Sequence, residues 1–369
     1  MRYVSAMIMA LGLAAASPQG QAQPTPSETF GYSVIPPDFT AAEAARRLGS
    51  ASLTYWVEGT LLRVAARAST PDVRLCCTVQ PDMQALGEGL WGLTLVFPDL
   101  NRSVIALQTS ADPTTRLYWR GPDAPAEPEA VAKLSGSLKT VEIESVLLKA
   151  RRKLTLYTPK SPPPPEGYPV VYMADGRAVS GFAWVVERLI DEGVIRPVVL
   201  VGIWSGEGRA TNGGFDQRNR EYLPSPKVDP QAYADHEAFV LKEVMPLVEA
   251  RYKVSTRRAD RLTYGFSAGG SWSLSFALRH PDAFAQGASA GMSAGPGSFT
   301  FSGTEDVKLY IRAGRYDQFY SGAQKTCLKA QAAGLTCHFT GMYAGHDPFV
   351  WNLALLETLK AVFAARTEP

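Results

Sequence analysis

The chain has 369 residues, 46% of them hydrophobic and 20% charged, an ordinary globular composition long enough for one large domain and a smaller one. Its 37 Lys and Arg against 35 Asp and Glu leave a formal net charge of +2. That balance lacks the basic excess used to bind nucleic acid, so no nucleic-acid partner is expected.

Residues 1–22 read as a signal peptide. Met1 and Arg2 give a short positive start, Val4 to Ala16 an apolar run, and Gly20-Gln21-Ala22 small residues for cleavage before Gln23. The run is shorter than the roughly 20 apolar residues that span a bilayer. No cysteine follows it to carry a lipid, so the mature protein is expected to be periplasmic or secreted, with no stable membrane insertion. Residues 23–39, rich in Pro, Ser and Thr, read as a flexible lead-in.

Residues 40–128 carry the signals of a small all-β sandwich behind a short helix capped by Thr40. Strand runs are predicted over 53–68, 73–79, 104–107 and 116–119. In Trp91 to Phe97 the apolar residues at 91, 93, 95 and 97 share one face of a strand. Cys76 and Cys77 are expected to face opposite sides of a strand, because adjacent Cα atoms are too close for relaxed disulfide geometry. The Pro- and Ala-rich stretch 121–128 is the link out of the sandwich.

Residues 129–369 form the second predicted domain. Strands at 141–147 and 153–157 are antiparallel candidates, and a Pro-rich turn follows at 161–167. From Tyr168 strands and helices alternate. Strands are predicted at 170–174, 197–203, 261–264, 286–290, 307–313 and 337–342, with helices at 181–192, 233–252, 268–279, 322–333 and 349–365. That order implies a mainly parallel sheet covered on both faces. Cys327 in a helix and Cys337 in the next strand could pair in an oxidising compartment.

The chemistry gathers around Gly265-Phe266-Ser267-Ala268-Gly269-Gly270. A serine hydroxyl needs a base to become a nucleophile, and a tight strand-to-helix turn with small residues at both ends presents it. The base should follow the last strand. Of the four histidines, His236 precedes Ser267, His280 reads as a helix C-cap, and His338 sits inside a strand. Only His346 follows the strand. The acid should follow the strand before, which selects Asp317 over Asp347, Asp306 and Glu305. The oxyanion donors are expected at the N–H of Ala268 and of Gly176 or Arg177. The long loop 204–230 supplies Trp204, Arg209, Arg218, Arg220 and Tyr222 as candidate substrate contacts. Arg218 and Arg220 could equally pair with Glu221 or another local carboxylate.

From about residue 138 to 366 the chain resembles the enterochelin esterase and esterase D group of α/β-hydrolases, which includes many feruloyl esterases. The matching pieces include Tyr157-Thr158-Pro159, the run from Tyr168 to Gly176, Arg218 to Tyr222, Pro246 to Tyr252, Gly265 to Gly270, Arg279 to Phe284 and Gly345 to Trp351. The resemblance implies a carboxylic-ester hydrolase that needs no cofactor, with Ser267 as nucleophile, His346 as base and Asp317 as acid. The sandwich resembles the early-set immunoglobulin-like domain that often precedes this catalytic domain, chiefly through Met83 and Trp91. The expected substrate is a small siderophore-like or feruloyl-type ester. The alternatives are acyl transfer, as in the exported mycolyltransferases that share the fold, and a non-catalytic binding module.

Overall fold

The computed structural model describes residues 31–77, 79–208, 214–304 and 306–365. The predicted signal peptide and Arg209 lie outside the described residues.

The alternation read from the sequence becomes an eight-stranded sheet. Its strands are β1 (Ser137–Ser145), β2 (Ala150–Thr158), β3 (Val170–Met173), β4 (Val199–Ile203), β5 (Arg261–Phe266), β6 (Gln286–Ala290), β7 (Lys308–Gly314) and β8 (Cys337–Met342). The spatial order is β8-β7-β6-β5-β3-β4-β2-β1. β1 and β2 pair antiparallel, β2 joins β4 antiparallel, and every other pairing is parallel. The helices are α1 (Val179–Asp191), α2 (Gln217–Tyr222), α3 (Pro230–Phe239), α4 (Met245–Tyr252), α5 (Ala268–Arg279), α6 (Tyr320–Ala332) and α7 (Pro348–Val362).

Period-two alternation builds two cores from one strand. Val170 and Tyr172 of β3 join the layer holding Phe239, Val244, Trp272 and Phe276. Val171 and Met173 join the opposite layer with Phe182, Val186, Leu355 and Leu359. A strand covered on both faces must be apolar throughout, and all four β3 residues are fully buried.

The helix predicted over 233–252 is interrupted. A π-turn, Val240–Val244, joins α3 to α4. Pro246 sits in the first turn of α4, where its missing N–H would break a regular α-helical ladder. Cys327 of α6 and Cys337 at the start of β8 form a disulfide, with Cα atoms 5.6 Å apart.

The sandwich consists of two antiparallel sheets over one core. One holds Ser33–Ile35, Leu53–Glu58, Leu61–Arg67, Gln84–Gly87 and Leu90–Val96; the other holds Leu75–Cys77, Val104–Thr109 and Leu117–Arg120. Leu62, Val64, Leu93 and Leu95 from the first meet Leu75, Ile105 and Leu107 from the second. Thr40 caps the helix Ala41–Leu48 by accepting the N–H of Glu43 at 3.2 Å.

Three expectations need correction. The lead-in 23–39 contains a strand, Ser33–Ile35, which pairs with Leu90–Val96; its three apolar or small residues carry too short a pattern to stand out from the surrounding prolines. The run 53–68 is a hairpin, turned at Gly59 with φ +61°. Cys76 is disulfide-bonded, where the reading of two opposite-facing strand cysteines expected no bond.

Candidate active site

Ser267 sits between β5 and α5 at φ 55° and ψ −128°. A non-glycine residue at positive φ carries about 1–3 kcal/mol of backbone strain, which the surroundings must hold. They do so with backbone bonds. The Ser267 N–H donates to the Ala290 carbonyl at 3.0 Å, and the Ser267 carbonyl accepts from Ser271 at 3.2 Å and Ser293 at 3.3 Å. Gly265 is required here, since a Cβ would overlap the Gly269 carbonyl.

His346 and Asp317 come together from the ends of adjacent strands. Nδ1 of His346 lies 2.8 Å from Oδ2 of Asp317. The other oxygen, Oδ1, accepts the N–H of Phe319 at 2.9 Å, so both carboxylate oxygens are engaged. The Asp317 side chain is fully buried, and that of His346 is 19% exposed. A carboxylate beside Nδ1 favours the tautomer that carries its proton there.

Aromatic rings carry His346 toward the serine turn. Phe266, which precedes Ser267, stacks on Trp351 at 4.0 Å, and Trp351 meets the His346 ring edge-on at 5.7 Å. Phe319 packs on His346 at 5.5 Å. Phe319 and Trp351 were not singled out in the sequence; the signal available was their position two and five residues from the acid and the base.

Two of the rival acids are placed elsewhere. Asp347 caps α7, accepting the Phe349 N–H at 2.7 Å. Asp306 is exposed near Arg258, and Glu305 lies outside the described residues. His280 caps α5 and meets Glu237 at 3.2 Å. His338 stacks on Tyr310.

His236 has a separate consequence. It is buried against Tyr222, Phe239 and Trp272, and burial pushes its pKa down from 6.5 to about 4. The unfolded chain therefore binds a proton at His236 between those values while the folded chain does not. The resulting stability is present above pH 6.5 and is lost as pH falls toward 4. At pH 5 the loss is about 2 kcal/mol relative to pH 7.5. Urea unfolding at the two pH values should show it, and His236→Phe should show a correspondingly smaller acid loss. An equal loss in both proteins would contradict this assignment.

The loop after β3 turns through Asp175, left-handed at φ 56° and ψ 54°, into a short 3-10 turn, Gly176–Ala178. Gly176 packs so tightly on Gly202 and Trp204 that a Cβ would clash with both. Asp175, Gly176, Arg177, Ala178, Trp204, Ser205, Gly206, Glu207 and Phe266 line a cleft of about 410 Å³ beside the serine turn. The Arg177 guanidinium lies over the Trp204 ring at 4.9 Å. The first N–H groups of α5, Ala268 included, have no partner within the helix.

The candidate substrate residues divide. Trp204 lines the cleft, its Nε1 donating to Thr155 Oγ1 at 2.9 Å. Arg218 is held by Asp175 through two bonds of 2.5 and 2.7 Å, and its Nη2 also donates to the Phe266 carbonyl at 3.5 Å. Arg220 pairs with Asp229 at 2.6 Å on the surface. Glu221, weighed as the local partner, binds Arg152 at 2.8 Å and the Gly206 N–H at 2.8 Å. Tyr222 needs correction as a substrate contact. It is fully buried, its hydroxyl donating to the Ile203 carbonyl at 3.0 Å and accepting the Asp175 N–H at 3.1 Å. An α-helical turn, α2, rotates it inward, and the loop reading of 204–230 contained no such turn.

Similar proteins agree with this architecture. Over 84% of the chain and 95% of its counterpart, the fold matches the enterobactin esterase FES of Shigella flexneri, solved in the presence of enterobactin, with a TM-score of 0.64 at 15% identity. The ferric enterobactin esterase of Salmonella typhimurium matches over 84% and 96%, with a TM-score of 0.65 at 14% identity. In sequence, 146 residues are 32% identical to the ferri-bacillibactin esterase BesA of Bacillus subtilis (strain 168), over 34% of this chain and 48% of that protein. The chain thus spans about half the length of that curated relative. Residues 145–362 match the Esterase family, described as "Putative esterase". With more than half of its length inside that match, and an α/β-hydrolase core to carry it, the chain belongs to this family of carboxylic-ester hydrolases.

Proposed function

We propose that the protein is an exported serine esterase that works through Ser267, His346 and Asp317 and acts on siderophore-like or other aromatic esters. The observation that carries this reading is the 2.8 Å bond between buried Asp317 and His346, which follow the carboxyl ends of β7 and β8 as the strained turn with Ser267 follows that of β5.

In this reading His346 Nε2 takes the Ser267 hydroxyl proton as Oγ attacks the ester carbonyl. The tetrahedral oxyanion accepts the N–H of Ala268 and that of Gly176 or Arg177, each donor contributing about 2.7–4 kcal/mol in the transition state. His346 then gives its proton to the departing alcohol, leaving an acyl-serine. Water repeats the sequence in reverse roles, with the proton again passing through His346. Asp317 stabilises the imidazolium as it forms.

The substrate class rests on the cleft. Trp204 offers a flat apolar wall, and Arg177 adds a positive charge over it, which suits an electron-rich or anionic aromatic acid. The relative named for ferri-bacillibactin supports the siderophore reading. Export is supported by the disulfide of Cys327 and Cys337, since such bonds persist in oxidising compartments.

A panel of acetyl, feruloyl and catechol-acid esters tests the specificity. Aromatic acids are expected to give kcat/KM at least about tenfold above acetyl, and Trp204→Ala should remove that preference, a difference of about 1.4 kcal/mol. Equal kcat/KM across the panel would reject the aromatic cleft while leaving the esterase intact.

A further inference from the structure

The sandwich contacts the two loops that carry Asp317 and His346, and it does so through the residues just before them. Tyr316 precedes Asp317, yet its side chain leaves the hydrolase domain and sits 3% exposed in the sandwich core. Phe97 and Tyr32 pack on its ring at 4.9 and 6.1 Å. Its hydroxyl lies 2.6 Å from Ser103 Oγ. Ser103 Oγ donates its single proton to the Asp99 carbonyl at 2.6 Å, so Tyr316 is the donor to Ser103. Burial raises the Tyr316 pKa to about 12, which keeps that proton in place at working pH.

The base loop is gripped in the same way. Val104, at the start of a sandwich strand, donates its N–H to the Tyr343 carbonyl at 2.9 Å. Arg102 donates to the Tyr343 hydroxyl at 3.0 Å and lies over its ring at 4.3 Å. Val104 also packs with Ala344, Phe349 and Val350, the residues flanking His346. The two loops are then tied to each other, because the Tyr316 N–H donates to the Ala344 carbonyl at 3.0 Å. Asp317 is one residue beyond that bond, and His346 two.

We infer that the sandwich is part of the catalytic scaffold, with Tyr316 as a positioning residue that sets the alignment of Asp317 on His346. The inference rests on the triad reading given above. A carboxylate one residue from a buried aromatic plug has little freedom, and the hydrogen bond it makes depends on distance and angle. Loosening the plug would leave fold and cleft in place while degrading the Asp317–His346 bond. The imidazolium would lose stabilisation, and the acid limb of the pH–rate profile would move to lower pH.

The test uses the full chain and 4-nitrophenyl acetate, whose small acyl group makes few demands on the cleft. Tyr316→Ala is expected to lower kcat roughly tenfold to a hundredfold with KM within about twofold, and to slow labelling by a fluorophosphonate equally. Its acid limb should move down by about half a pH unit or more. Tyr316→Phe and Ser103→Ala should each cost about threefold in kcat, and the double variant no more than Ser103→Ala, because both remove the Tyr316–Ser103 bond and Ser103→Ala already removes the bond to Asp99 as well. A folded Tyr316→Ala with unchanged kcat and acid limb would overturn the inference. If that variant does not fold, unchanged kcat and acid limb in both Tyr316→Phe and Ser103→Ala would overturn it instead. Ser267→Ala is measured alongside, and turnover surviving there would reject the triad reading, a separate outcome from either of these.

Discussion

Ser267→Ala is expected to lower kcat by about 10⁶-fold, His346→Ala by about as much, and the double variant no further. The reason is that neither residue has chemistry to offer without the other. A hydroxyl with no base stays protonated, and a base with no hydroxyl has nothing to activate. Asp317→Asn should cost about 10⁴-fold. With its amide oxygen kept by the Phe319 N–H, its NH2 takes the place of the oxygen at Nδ1 and donates, so the ring is held in the wrong tautomer. Each variant should remain folded, since the Asp317 bonds to His346 and Phe319 are local to two loops. Steady-state hydrolysis of 4-nitrophenyl acetate measures all four. If the losses for Ser267 and His346 instead multiplied, the two residues would be acting independently and the triad would be rejected.

The second large effect concerns Arg218. Its fork grips both oxygens of Asp175, at 2.5 and 2.7 Å, and Asp175 begins the loop that presents Gly176 and Arg177. Asp175 also lies so close to Gly269 of the serine turn that Oδ2 would sit 2.8 Å from a Cβ placed there. Arg218→Met would leave that carboxylate largely enclosed and unpaired. The expected cost is about 3 kcal/mol of stability and roughly a hundredfold in kcat, as the donor loop shifts away from the oxyanion position. Lysine should not rescue it, because a single ammonium cannot make the planar two-bond contact. Arg218→Met with Asp175→Asn should recover part of the stability, since the unpaired charge is gone. Urea unfolding and kcat measure both effects. A variant with normal kcat and stability but raised KM would instead make Arg218 a substrate contact.

What the sequence reveals depends on the range of each signal. Local signals were legible. The alternation of strands and helices after Tyr168 gave the parallel sheet, and the spacing of Gly265, Ser267 and Gly269 gave the turn between β5 and α5. Chain order pointed to Asp317 and His346, and their side chains lie 2.8 Å apart. Pairings across the fold were not legible. Arg218 had Glu221 three residues away and pairs with Asp175, 43 residues away. Tyr222 has the composition of a binding residue, yet one helical turn puts it in the core. Tyr316 reads as a loop residue, and only the position of the sandwich makes it a core residue of another domain. For Arg218 and Tyr316 the deciding neighbour comes from a distant element, so no window of sequence contains it.

An activated Ser267 should react with electrophiles that ordinary serines ignore. The direct measurement is intact mass followed by peptide mapping after treatment with a fluorophosphonate. Phosphonylation should be stoichiometric on the peptide bearing Ser267, absent in Ser267→Ala and slowed by orders of magnitude in His346→Ala. An unlabelled protein that still hydrolyses esters, or a label on another residue, would contradict it.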